Sequence, residues 1–149
     1  MADSQDVLRS KPGNIVSVDQ CKSSVHGHLP SSQGQEAQRH RHVGGTLFCD
    51  HASGHVSVRR QASLGATDTI NALNSMIREA VECNVKIEHL HTDGGIFMAC
   101  EFVAALGDGC QFVAKCGVGA KHQSGVAEQA VGTVQAVARA TSHSISLAR

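Results

Sequence analysis

Hydrophobic and polar positions alternate over residues 14–21, NIVSVDQC, with Val16 and Val18 on one face and Ile15, Ser17 and Asp19 on the other. That period of two predicts a strand. Residues 22–42 are almost wholly polar and predict a long exposed loop. Alternation returns over 45–51 and 55–62, a predicted hairpin turning at Ala52-Ser53-Gly54. The period then changes. Ile70, Leu73, Ile77, Ala80 and Val81 mark one stripe of a helix capped by Thr67 or Asp68 and ending near Cys83-Asn84. Residues 85–91 read as a strand that delivers Asp93 to the following loop, 101–106 as a short helix and 111–116 as another strand. Gly117-Val118-Gly119 breaks that strand, and Ser124-Gly125 opens an Ala- and Val-rich helix over 125–141.

The order β, β, β, α, β, α, β, α predicts an α/β fold with a mixed sheet and helices on its faces. A chain of 149 residues suits one domain, since domains commonly hold roughly 100 to 150. Residues 1–13, with the Pro12-Gly13 turn signal, read as a linker and leave 14–149 as the domain. The core must rest on Val, Ile, Leu, Ala and Met, because the chain has no Trp or Tyr and only 4 Phe. Charge is balanced, 13 Lys and Arg against 13 Asp and Glu, so no global excess advertises a polyanion partner. No apolar run approaches a membrane span, and the polar start MADSQDVLRS lacks a signal-peptide core. The expectation is an intracellular protein, nuclear or cytoplasmic and without a membrane partner. Six cysteines with no C-x-x-C pair are expected to be reduced, half-buried side chains.

Three acids stand in distinct settings: Asp19 in NIVSVDQC, Asp93 in KIEHLHTDGG and Glu128 in HQSGVAEQAVGTV. Two end strand-patterned runs and the third lies near a helix start, so separate elements could bring them to one point. Carboxylate oxygens suit hard divalent cations such as Mg2+. Glu128 follows Asp93 by 35 positions (128 − 93). HTDGG is similar to the HTDNG block of integrases, HQSGVAEQ to their PQxxGxxER block, and GGTLFCDHASGHVSV to their second core strand. Over about residues 15–140 the chain resembles the catalytic core of retroelement integrases with the D,D,E triad, of the copia retrotransposon type. The resemblance implies an RNase H-like fold, with Asp19, Asp93 and Glu128 as catalytic residues and ligands of two Mg2+ or Mn2+ ions. It implies DNA integration, the joining of element 3′-ends to target DNA, and a homo-oligomer. Lys121 and Gln123 become candidate DNA contacts.

Asp50 in FCDHASG is the rival for the first ligand, but strand order puts it on the second strand. Ten histidines, including the pairs His26/His28, His40/His42 and His89/His91, raise zinc as a second idea. No Cys or Glu at zinc-site spacing joins them, so they read as loop and strand-end residues. The chain departs from the integrase pattern in having Gly94 where Asn is common and Gln129 where Arg is common. Only Arg139 is basic between Lys121 and Arg149, so phosphate contacts should be few. These departures suit a fragment or decayed copy. The alternatives are a non-catalytic nucleic-acid- or protein-binding module of the same fold, or a metal-dependent nuclease.

Overall fold

The computed structural model describes residues 11–27, 42–92, 94–106, 112–115 and 121–147. Five strands, β1 (Ile15–Gly27), β2 (His42–Asp50), β3 (Val56–Gln61), β4 (His89–Thr92) and β5 (Phe112–Lys115), form one sheet in the order β3-β2-β1-β4-β5. The pairs β1–β2 and β2–β3 are antiparallel, and β1–β4 and β4–β5 are parallel. Among the described residues three helices, α1 (Ala66–Glu82), α2 (Cys100–Leu106) and α3 (Lys121–Leu147), flank the sheet, with a 3-10 turn at Gly95–Met98. The mixed sheet flanked by helices matches the α/β expectation.

Strand parity divides the core in two. Val16, Val18, Phe48 and Leu90 face Ala72, Leu73 and Met76 of α1, together with Phe97, Phe102 and Leu106. On the other face Leu47 and Cys49 meet Ala130 of α3, with Val131 and Val134 packed beside them. The sheet is thus covered by α1 and α2 on one side and α3 on the other. Phe97 and Phe102 meet edge to face at 5.4 Å, binding the 3-10 turn to α2.

The beginning of α1 differs from expectation. Its N-cap is Gly65, with no side-chain cap bond, and Asp68 instead reaches back to accept a 2.9 Å bond from the Ser63 N–H. A buried network fixes this end instead. Thr69 Oγ1 donates to the Gly65 carbonyl and accepts from Gln20 Nε2 and Gln61 Nε2, while Thr46 Oγ1 donates to Gln61 Oε1. One hydroxyl thereby serves a helix and two strands. Thr69→Val keeps the shape and strands two amide donors, so it should cost about 2 kcal/mol. Urea denaturation checks this; an unchanged midpoint would show the network to be idle. At the other end Asn84, at φ 57°, stops the helix. The bonds Asn84 N to Val81 O and Val85 N to Ala80 O form a Schellman motif.

Other boundaries also shift. β1 runs to Gly27, into the segment expected to be loop, because its polar residues pair through backbone as far as Lys22↔Gly44 and Gly27↔His42. Residues 85–88 are not strand: Val85 N and Glu88 N bond to Ala80 O and Gly13 O instead of to a ladder. The last helix starts at Lys121, four residues ahead of Gly125, and ends at Leu147.

Candidate functional site

β1 is the centre of the sheet, and its two neighbours set what lies near Asp19. In the parallel pair with β4, Ser17 is level with His91 and Val18 with Thr92. The residues directly preceding Asp19 and Asp93 are therefore partners across the ladder. Asp93 itself lies outside the described residues. In the antiparallel pair with β2, Asp19 is level with Leu47 and Ser17 with Cys49. Leu47 and Cys49 carry α3, so Asp19 shares the α3-covered face. Asp19 is half-buried, and its Oδ1 accepts a 2.7 Å bond from the Gln20 N–H.

Glu128 is exposed on α3, one turn before the packed Val131. The side chains of Lys121 and Gln123, in the first turn of α3, lie outside the described set. Among the described residues no three His, Cys, Asp or Glu side chains are grouped to hold a metal ion. Asp19 and Glu128 contribute only carboxylate oxygens, which fits Mg2+ or Mn2+ better than zinc.

Asp50 has another task. Its Oδ1 accepts the Gly13 N–H at 2.8 Å, and its Oδ2 accepts the Ser53 N–H and hydroxyl at 2.7 and 2.6 Å. The carboxylate thus ties the β2–β3 turn to residues 11–14. It lies level with Val16, three positions from Asp19, about 10 Å along the strand.

A polar group that sequence reasoning missed lies one step below Asp19. Ser17 Oγ is 2.6 Å from His51 Nε2, and the His51 and His91 rings meet at 5.9 Å. Parity was the available signal, since 17 and 19 share a face. His89 instead bonds through Nδ1 to the Asn14 carbonyl at 2.9 Å, so the two members of the pair do different work.

Glycine at 94 has a local reason. Its φ of 120° and ψ of −133° belong to a region open essentially to glycine alone, which the side chain of Asn would strain. The turn into the 3-10 segment uses that freedom.

Among the described cysteines none is in a disulfide: Cys49 is buried, Cys21 half-buried, and Cys83 and Cys100 are exposed, against the expectation of half-burial for most. Burial pushes the Cys21 and Cys49 thiols above their usual 9.0. Above about that pH the unfolded chain gives up protons that the folded chain keeps, so stability should fall as pH rises beyond it. Iodoacetamide at pH 8 should modify Cys83 and Cys100 well before Cys21 and Cys49. A mass-spectrometric time course checks the order, and early loss of Cys49 would contradict it.

No protein-family model matches this chain, and no curated protein sequence matches it. Solved structures do. The chain is similar to a protein in the simian T-cell lymphotropic virus intasome, solved in complex with PP2A regulatory subunit B56 gamma, at TM-score 0.60 and 19% identity. That match covers 81% of this chain but 38% of the other, so the chain spans well under half of it. It is also similar to the HTLV-2 integrase catalytic core domain in complex with magnesium. The dimeric form gives TM-score 0.58 at 19% identity and the trimeric form 0.55 at 20%. Each covers 83% of this chain and 68% of that domain. The likeness establishes the fold: this chain folds as those integrase catalytic cores do, with a mixed sheet between helices.

Proposed function

We propose that this chain is the catalytic core of a retroelement integrase of the D,D,E class, copia type, which joins element 3′-ends to target DNA. The observation that carries the reading is the parallel pairing of Val18 with Thr92 beneath the sheet face on which α3 lies. It sets the residues before two candidate aspartates side by side, while α3, the helix bearing the glutamate, packs on Leu47 and Cys49, the face that Asp19 shares. The integrase cores that share the fold, one of them solved with magnesium in dimeric and trimeric forms, add support.

Asp19, Asp93 and Glu128 would hold the divalent ions. When bound, Mg2+ or Mn2+ supplies Lewis-acid activation of the attacking and leaving oxygens. The strand ladder fixes the backbone of Asp19, and the bond from Gln20 N–H orients its carboxylate. Ala130, Val131 and Val134 exclude water from beneath α3, stiffening the helix that carries Glu128. In the reaction the 3′-hydroxyl oxygen of one strand forms a bond to a target phosphorus as another P–O bond breaks. The released target strand takes up the proton. Gln123 and Lys121 would touch the DNA, in a homo-oligomer working in nucleus or cytoplasm.

The test is joining of a labelled DNA end to a target duplex in Mn2+ at low salt, where few phosphate contacts suffice. Joined products that vanish with Glu128→Gln support the reading. Cleavage without joining makes the protein a nuclease. A folded protein that neither joins nor cuts, with no thermal shift in Mn2+, is a non-catalytic module.

A further inference from the structure

The imidazole that follows β2 reaches across the central strand to β4. His51 is tied to β1 twice: its backbone N–H donates to the Ile15 carbonyl at 3.0 Å, and its Nε2 lies 2.6 Å from Ser17 Oγ. Its ring then meets the ring of His91 on β4, centroid to centroid at 5.9 Å. β2 and β4 stand on opposite sides of β1, roughly 10 Å apart at the usual strand spacing. The side chain must therefore lean over β1. Ser17, level with His91 and 2% exposed, permits this because its short side chain leaves the two rings in contact. A hydroxyl both donates and accepts, so it can bond either tautomer of His51.

The contact falls where the sheet needs support. β4 has only four residues, and its ladder with β1 runs from Ile15↔His89 to Val18↔Thr92. That ladder ends immediately before Asp19 and Asp93, and the last pairs of a short ladder open most easily. Ser17 lies two residues before Asp19 and His91 two before Asp93. One side chain thus joins the end of β2 to both strands that lead to the candidate aspartates.

We propose that His51 is a positioning residue for divalent-ion binding: held by Ser17, it braces His91 and keeps the ends of β1 and β4 in register. The inference rests on the polynucleotidyl-transfer reading. His51 acts through Ser17 and His91 and is not itself a ligand, since hard ions take oxygen donors.

His51→Leu removes the bond to Ser17, whereas His51→Gln keeps a planar amide able to reach the hydroxyl. The first readout needs no metal. In 15N NMR hydrogen exchange, amides of Ile15–Val18 and His89–Thr92 that the parent protects should exchange about tenfold faster in His51→Leu, with β3 amides unchanged. The second is Mn2+ affinity, measured by electron paramagnetic resonance below the melting range of every variant. His51→Leu should weaken it by about tenfold or more, and His51→Gln should stay within about threefold of the parent. Excess Mn2+ should restore DNA joining to His51→Leu but not to Asp19→Asn. Ser17→Ala, which removes the hydroxyl alone, replaces His51→Leu if that variant does not fold. If the parent binds Mn2+ and His51→Leu binds it equally well, the inference fails while the integrase reading stands. Equal losses in His51→Gln, or faster exchange spread evenly over β3, also overturn it. A folded parent that binds no Mn2+ overturns the reading and the inference together.

Discussion

Asp19→Asn is expected to lower DNA joining by a factor on the order of 10³ while leaving the fold intact, since a metal ligand supplies several kcal/mol of transition-state stabilisation. The substitution keeps the size of the side chain and keeps an oxygen for the Gln20 N–H, so local geometry survives and only the charge is lost. The informative control is Asp50→Asn. Its one oxygen can still accept either the Ser53 donors or the Gly13 N–H, but its NH2 accepts nothing, so the donors on the other side lose their acceptor. It should cost about 1 kcal/mol of stability and leave joining within a few-fold of the parent. Rates at matched folded concentration, with urea midpoints for both variants, separate the two effects. If Asp50→Asn stops the reaction and Asp19→Asn spares it, the first ligand has been misassigned.

Gly13→Ala should unfold the protein more readily than any surface change, by about 4 kcal/mol, combining left-handed strain with a steric clash. Gly13 sits at φ 86°. An added Cβ would press into the Lys86 carbonyl and lie 2.7 Å from Val85 Cγ1. The same residue donates to Asp50 and accepts from the Glu88 N–H, so moving it to relieve the clash breaks both bonds. A shift of several degrees or more in melting temperature is expected, and a variant that melts with the parent would refute the clasp.

Much of the fold was legible because hydrophobic periodicity reports the core directly. Val16 and Val18 face α1 as the alternation of NIVSVD required. Of the expected helical stripe Leu73 is buried with Ile70, Ile77 and Ala80 packed beside it, while Val81 is exposed and Thr69, Ala72 and Met76 complete the buried face. What escaped was held by backbone or by distant partners. Nothing in the polar run after Cys21 announces a strand, because its ladder bonds to β2 involve no side chain. Val85 and Ile87 alternate like a strand, yet a helix end and Gly13 take the hydrogen bonds that a ladder would need. Of the candidate site the sequence offered residues and not their geometry. Spacing picked out Asp19, Asp93 and Glu128, but whether an acid faces an ion or ties a turn depends on donors supplied by other segments. Asp50 has the same charge as Asp19 and a more conspicuous sequence block; Gly13 and Ser53, far apart in sequence, engage it in a clasp.

The mixed pairing of β1 also sets an order of assembly. Its antiparallel edge meets β2, and β2 meets β3 across a short turn, so those contacts form cheaply. The parallel edge meets β4 only after the chain closes a loop of 74 residues, Ile15 to His89 (89 − 15). Such closure entropy is spent before any contact repays it, which slows the step. Pulse-labelling during refolding should therefore protect amides of β2 and β3 before those of β4. Protection of β4 first would reverse the order. The Ile15–Val18 start of β1, just ahead of Asp19, thus acquires its second neighbour late, and a refolding chain should pass through a state with the hairpin built and the candidate site still open.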